Sequence, residues 1–283
     1  RVQNLRKKYD AEWALVTGAS SGIGLAIARR LAEQGLNVVI AAVDNDLLPA
    51  AVKTLREDFK SQEFRAVGVD LSRDGFMEPI VEATKDILPQ VVFLNAGYIV
   101  TGFFADTKVE AQVANFNCNA GCIVPLSHHF IGRLQAANAR GCVSFTSSPA
   151  GFMPCPFSAM YGATKAFLTE LACSLAPEVG VDGIDVMVIH PSPVTSNFYN
   201  SAHKLDALEM FRRTGTTPTT IADAALATVG RNVVCDQGYY SLSVRALLKI
   251  VDVTFLANII AAMAPTMKDF KEMRKLRAAS GKK

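Results

Sequence analysis

Tyr161 and Lys165 stand four residues apart in Tyr161-Gly162-Ala163-Thr164-Lys165, and Ser148 lies thirteen residues before the tyrosine. On a helix, residues i and i+4 share a face, so a phenol and an ammonium at this spacing address one bound molecule together. A phenol titrates near pH 10, and a fixed positive charge beside it is one way to bring its proton into use near neutrality. A serine hydroxyl can hold a carbonyl oxygen by hydrogen bond while the phenol protonates it, since geometry precedes acidity in such a transfer. Proton transfer to or from one bound molecule is the chemistry these residues can do. A Tyr-x-x-x-Lys pair alone is common on helices; its weight comes from what surrounds it.

The elements that must position the trio can be read along the chain. Trp13-Ala-Leu-Val-Thr17 is an apolar run ending at the loop Thr17-Gly18-Ala19-Ser20-Ser21-Gly22-Ile23-Gly24, after which Gly22 to Gln34 reads as a helix closed by Gly35 and followed by the strand Val38 to Ala41. A loop between a first strand and a helix N-terminus offers backbone N–H groups and a favourable dipole to a pyrophosphate. Further apolar runs at Phe64 to Val69, Val91 to Leu94, Cys142 to Thr146 and Val186 to Ile189 alternate with helix-length segments near 46–60, 73–87, 108–138 and 158–176. This alternation predicts an α/β fold: a doubly wound parallel sheet (Rossmann-like) in a single domain. Residues 191–220, rich in proline and glycine, read as a mobile substrate flap, and about 244–283 as an amphipathic and then basic C-terminal extension.

Bulk properties narrow the function. The 283 residues are half hydrophobic, enough for one large core, and a net charge of +3 with scattered basic residues excludes nucleic acid as a partner. Six cysteines, Cys118, Cys122, Cys142, Cys155, Cys173 and Cys235, form no C-x-x-C pair and interleave with no histidine, so neither a disulfide framework nor a metal site is expected, and a reducing compartment fits. His128, His129 and His190 read as structural for the same reason. The chain begins at Arg1, which reads as a trimmed or processed product. Arg245, Lys249, Asp252 and Asn258 interrupt the apolar stretch from Val244 to Pro265 and argue against a spanning helix.

The loop Thr17 to Gly24 (TGxxxGxG), Asn95-Ala96-Gly97 and Tyr161 to Lys165 together resemble the short-chain dehydrogenase/reductase family, over the chain to about Gly238. The segments Lys8 to Gly18 and Met160 to Phe167 further resemble the branch holding very-long-chain 3-oxoacyl-CoA reductases and 17β-hydroxysteroid dehydrogenases. The resemblance implies that Gly18, Ser20, Ser21, Gly22, Ile23 and Gly24 cradle a dinucleotide, that Asp70 with Leu71 meets the adenine, and that Asn95, Ala96 and Gly97 line the cofactor's path. The bland alternative for Asp70 is a cap for a helix from Arg73 onward, and both roles can coexist. Tyr161 would be the general acid or base, with Lys165 supporting it and holding the nicotinamide ribose, and Ser148 would orient the carbonyl. Asn119 would complete the catalytic set by distorting its helix and holding a proton-relaying water, with Asn115 and Asn117 as neighbouring rivals. Family members carry Pro-Gly after the sixth strand, whereas here Pro191-Ser192-Pro193-Val194-Thr195-Ser196 places a serine at that glycine; contacts to the carboxamide fall to Pro191, Val194 and Ser196.

Neither cofactor marker stands at the end of the second strand: the position of the NAD-type aspartate is Ala42 and that of the NADP-type arginine is Val43. Asp44 leans towards NAD(H), the resembled branch towards NADP(H), and the balance falls to NADP(H) with NAD(H) left open. Phe152 to Phe157, Asn197 to Tyr199, Met210 and Phe211 form an apolar border suited to a fatty acyl, steroid or terpenoid-like ketone. The C-terminal extension reads as packing on its own domain or a second copy, ahead of lying on a membrane surface. The resemblance places the chain at the endoplasmic reticulum if an N-terminal anchor was removed, otherwise in the cytoplasm or an organelle. The competing class is a dinucleotide-binding scaffold or sensor without turnover, against which the intact Ser148, Tyr161 and Lys165 count.

Overall fold

A computed structural model of the protein describes residues 1–199, 209 and 213–279. A short helix α1 (Leu5–Tyr9) precedes strand β1 (Trp13–Thr17), helix α2 (Gly22–Glu33), β2 (Asn37–Ala42), α3 (Leu47–Asp58) and β3 (Phe64–Gly68). Helix α4 (Met77–Thr84) leads to β4 (Pro89–Leu94), α5 (Val109–Phe116) and α6 (Ile123–Ala136) lead to β5 (Gly141–Thr146), and α7 (Ala159–Gly180) leads to β6 (Ile184–Pro191). Helix α8 (Pro218–Thr228), strand β7 (Val234–Gln237) and helices α9 (Gly238–Ile250), α10 (Val253–Met263) and α11 (Lys268–Ala279) follow.

The strands form one parallel sheet in the order β3-β2-β1-β4-β5-β6-β7. The doubly wound, Rossmann-like single domain expected from the alternation is therefore what forms. β1 is buried along its length, and successive side chains face opposite cores because a strand alternates. Ala14 and Val16 pack with Ile27, Leu31 and Leu226 from α2 and α8, whereas Trp13 and Leu15 pack with Phe130, Leu134 and Leu168 from α6 and α7. The strand order reverses between β1 and β4, and the carboxyl ends of those two strands open the crevice in which a ligand can sit.

Four departures from the sequence reading have local causes. The helix expected from residue 73 starts only at Met77, because Gly75 adopts φ +80°, outside helical space. Residues 108–138 are not one helix: Asn117–Gly121 is a π-turn in which the Cys122 N–H reaches back to the Asn117 carbonyl at 2.8 Å, and Pro125 has no N–H to offer the Gly121 carbonyl. The stretch 244–265 breaks at Val251 and Asp252, where the Asp252 carboxylate accepts from the N–H groups of Thr254 (2.8 Å) and Phe255 (3.3 Å) and caps α10. Strand β7 was not foreseen; with four residues, two of them Asp236 and Gln237, it lacks an apolar pattern and pairs only at the sheet edge.

Candidate active site

The glycine loop occupies the end of β1. Gly18 has φ +65°, and a Cβ there would meet the Ala96 Cα at 2.8 Å; a Cβ on Gly24 would meet the Gly18 carbonyl oxygen at 2.3 Å. Glycine is thus required for the loop to close against Asn95-Ala96-Gly97. The Ser21 side chain makes no capping bond at the start of α2, which leaves its first N–H groups without a side-chain partner. Thr17, which sequence reasoning passed over as a positioning residue, joins the two loops: its Oγ1 accepts from the N–H groups of Asn95 (2.9 Å) and Ala96 (3.1 Å). Thr146 at the end of β5 donates to Asn95 Oδ1 at 3.1 Å. A polar residue closing a buried apolar strand was the available signal for both.

Ser148, Tyr161 and Lys165 share one cavity of about 580 Å³ with Gly18, Ser21, Gly22, Ile23, Asn95, Ala96 and Gly97. Ser148 caps the turn after β5 through a bond from the Ala150 N–H, and its hydroxyl lies close enough to the Tyr161 phenol to lower its pKa. Tyr161 and Lys165 are both buried near the start of α7. Burial, reinforced by Tyr199, drives the phenol well above its ordinary pKa, against a smaller lowering by Ser148. The Lys165 ammonium sits 5.5 Å from the Tyr161 ring centroid and donates to the Thr146 carbonyl at 2.7 Å. Burial lowers Lys165 to about 8, partly opposed by the nearby Cys118 and Cys122.

Asn119 lies in the π-turn behind this group, fully buried. Its Oδ1 accepts from the Tyr98 N–H at 3.0 Å and its Nδ2 donates to the Tyr98 carbonyl at 2.9 Å, so it clasps the strand end after Asn95-Ala96-Gly97. Asn119 Oδ1 and Lys165 Nζ both approach Gly97, at 3.1 and 3.4 Å from where a Cβ would stand. Of the rivals, Asn115 donates to the same Tyr98 carbonyl (2.8 Å), whereas Asn117 turns away to the Ser72 carbonyl (3.3 Å).

Pro191, Val194 and Ser196 line the cavity, and Ser196 Cβ stands 3.7 Å from where a Gly22 Cβ would be. Ser192, at the family's glycine position, donates to the Gln237 carbonyl at 2.7 Å and accepts from the Ser241 N–H at 3.3 Å, tying this loop to β7 and α9. Ser20, Gly24, Asp44, Asp70, Leu71 and Asn119 stand outside the cavity lining. Asp44 and Asp70 follow β2 and β3; the Asp70 carboxylate accepts from the Ser72 N–H (3.0 Å) and hydroxyl (2.6 Å) and pairs with Arg73 at 3.1 Å, so it caps a turn rather than the helix from Arg73.

Met153 to Phe157, Phe198 and Tyr199 supply an apolar wall, joined from the C-terminal helices by Tyr240, Ile260 and Met267. Phe157 holds φ +62°, a costly conformation for a bulky residue, with its carbonyl accepting from the Gly102 N–H at 2.8 Å. Phe152 is not in the lining: its ring meets His190 edge-on at 5.1 Å, with the Arg245 guanidinium 3.9 Å from its centroid. Met210 and Phe211, and the Asn197 side chain, lie outside the described residues. His190 is fully buried between Asp236 (2.8 Å) and Thr169 (2.8 Å). Although burial pushes Asp236 upward, bonds from His190 and Arg245 hold it at about 2. Among the described residues no group of three or more His, Cys, Asp or Glu is placed to hold a metal ion.

The short chain dehydrogenase family model matches residues 12–206. The chain belongs to that family, and it is an NAD(P)-dependent oxidoreductase acting between C=O and CH–OH. It is 33% identical to a 7beta-hydroxysteroid dehydrogenase of Collinsella aerofaciens over 66% of this chain and 70% of that one. It is 30% identical to a very-long-chain 3-oxoacyl-CoA reductase of Podospora anserina over 80% and 66% of the two chains. Among solved structures, one from work on 7beta-hydroxysteroid dehydrogenase stereoselectivity aligns with TM-score 0.80 at 26% identity, covering 90% of this chain and 99% of the other. A short-chain dehydrogenase from Sphingobium yanoikuyae in complex with NADPH aligns with TM-score 0.74 at 26% identity, covering 84% and 92%.

Proposed function

We propose that the chain reduces a bulky apolar ketone, or oxidises the matching secondary alcohol, with Tyr161 as general acid or base. The observation that carries this reading is the buried grouping of Ser148, Tyr161 and Lys165 in a cavity whose wall is mostly apolar, with Asp269 at its C-terminal side. Ser148 holds the carbonyl oxygen, and Tyr161, kept protonated by burial, donates to that oxygen. Lys165 spends one of its three N–H donors on Thr146, which leaves two for ribose hydroxyls, and its charge stabilises the phenolate left after proton transfer. Asn119 fixes the π-turn and holds the water that returns a proton to Lys165.

The glycine loop suits a dinucleotide pyrophosphate: its closeness to Ala96 admits no Cβ, and the first N–H groups of α2 have no side-chain cap. When bound, the nicotinamide supplies or accepts the hydride at the carbonyl carbon. Ser20 and Ser21 border the phosphates, Asn95 to Gly97, Pro191, Val194 and Ser196 the nicotinamide half, and Asp70 with Leu71 the adenine. NADP(H) is favoured over NAD(H), with Asp44 the residue opposing a 2′-phosphate. The substrate class is a steroid or terpenoid-like ketone, in keeping with the 7beta-hydroxysteroid dehydrogenases among the relatives. A 3-oxoacyl thioester is the second reading, favoured by the match to 3-oxoacyl-CoA reductases over four-fifths of the chain.

Of the expected flap at 191–220, residues 200–208 and 210–212 lie outside the described residues. The exposed apolar stripe Val109, Val113 and Phe116 on α5 suits a second copy of the chain, and the C-terminal helices suit peripheral contact with a membrane of an intracellular, reducing compartment. Absorbance of NADPH and NADH in parallel, with purified protein and a panel of steroid ketones, 3-oxoacyl thioesters and small aromatic ketones, tests the reading. Oxidation dependent on a bulky apolar ketone and faster with NADPH is expected; tight cofactor binding without turnover across the panel would favour the scaffold instead.

A further inference from the structure

Helices α9 and α10 meet at an angle of 104°. The elbow is written into the sequence by the Asp252 cap, with Lys249 just before it. No residue of α10 is buried, and its outer stripe Phe255, Ile259 and Met263 is 59, 38 and 55% exposed; Ile250 at the elbow reaches 87%. A stripe of this kind on a soluble surface marks an interaction site. Helix α11 is held to the body on one side, where Phe270 meets Phe103 at 5.5 Å and Met273 is buried, while Lys271, Arg274 and Lys275 are exposed. From Gly238 to the end the chain carries nine Lys and Arg against three Asp and Glu, a net +6, whereas residues 1–237 are net −3. The inner side of the same elbow, through Ile260 and Met267, lines the cavity that holds Ser148 and Tyr161.

We propose that this elbow docks on an anionic phospholipid bilayer, with the outer stripe of α10 in the boundary between headgroups and acyl chains, and that the ketone passes between bilayer and Tyr161 past Ile260 and Met267. The docking stands on the surface itself, and only the substrate route rests on the function proposed above. Eleven residues of α10 reach roughly 16 Å, about half a bilayer core, and the charged elbow prevents α9 and α10 from spanning as one helix. An isologous contact between two copies through this patch would set net +6 against net +6, which argues against self-association here. Anionic headgroups complement that charge, and basic residues beside an apolar stripe are the arrangement of helices that lie in the interface.

The test is co-sedimentation of the full chain with phosphatidylcholine vesicles, with and without phosphatidylserine, at two salt concentrations. Binding is expected to vesicles containing phosphatidylserine and to weaken as salt rises. Lys271→Gln and Lys275→Gln should each weaken it roughly fivefold, the scale of one basic residue near an anionic surface. Phe255→Glu with Ile259→Glu should abolish it while near-UV circular dichroism and turnover of a small water-soluble ketone stay unchanged, and should slow turnover of a ketone partitioned into the vesicles. Failure of the parent chain to sediment, or undiminished binding by the Phe255→Glu/Ile259→Glu variant, would overturn the proposal. A dimer in light scattering that this variant dissociates, with no vesicle binding by the parent, would assign the patch to a second copy. If no ketone is turned over under any condition the oxidoreductase reading has failed, and sedimentation still decides the docking.

Discussion

At Tyr161 two demands meet: the phenol must be dry enough to act in a low-dielectric site, and its proton must be able to leave. Burial drives its pKa upward and keeps it protonated, which suits the acid role in reduction, while Lys165, lowered by burial to about 8, is the group that titrates in the working range. Free-enzyme kcat/KM for ketone reduction is therefore expected to fall on the alkaline side with a midpoint near pH 8, read from initial rates across a pH series. Stability should move the other way. The folded Lys165 value lies below its ordinary 10.5, so between about pH 8 and 10.5 the unfolded chain binds more protons and this group's contribution to stability rises with pH. A thermal unfolding midpoint falling in step with activity would assign the loss to unfolding instead. That Ser148, Tyr161 and Lys165 meet in one cavity was legible in the sequence because the i, i+4 spacing puts the tyrosine and the lysine on one helix face. What controls the phenol was not, since burial depends on Phe198 and Tyr199 arriving from a distant segment.

The glycine loop shows what an element contributes beyond its residues. Gly24 faces the Gly18 carbonyl and the Asn95 amide so closely that a methyl group has nowhere to go. Gly24→Ala should force α2 away from the Asn95 strand end, weakening dinucleotide binding at least tenfold by fluorescence titration and destabilising the fold by about 1–3 kcal/mol, in the range of overpacking. Gly132→Ala, at a helical position with nothing within 4 Å, should do neither and serves as the control. Apolar strands and the glycine loop could be read in advance because burial on both faces leaves a continuous hydrophobic run. The π-turn at Asn117–Gly121 and strand β7 could not: one depends on the N–H that Pro125 lacks about one turn further on, the other on polar residues paired at a sheet edge. Asp70 was read two ways, and its bonds to Ser72 and Arg73 make a turn while leaving its adenine contact a proposal.

Across the whole molecule, two cores on either side of one sheet carry the crevice between β1 and β4, and the C-terminal helices close the far end of the same cavity. The sequence reading foresaw the apolar and basic character of this extension but not its division of labour, because packing of α11 through Phe270 and Met273 and exposure of α10 are set by tertiary contacts. Proton transfer from Tyr161 to a bound ketone is checked by comparing single-turnover reduction in the parent enzyme and in Tyr161→Phe, with dinucleotide affinity measured on both. A loss of about 10²–10⁴-fold in the chemical step is expected, with cofactor affinity nearly unchanged. Comparable turnover in Tyr161→Phe would contradict it.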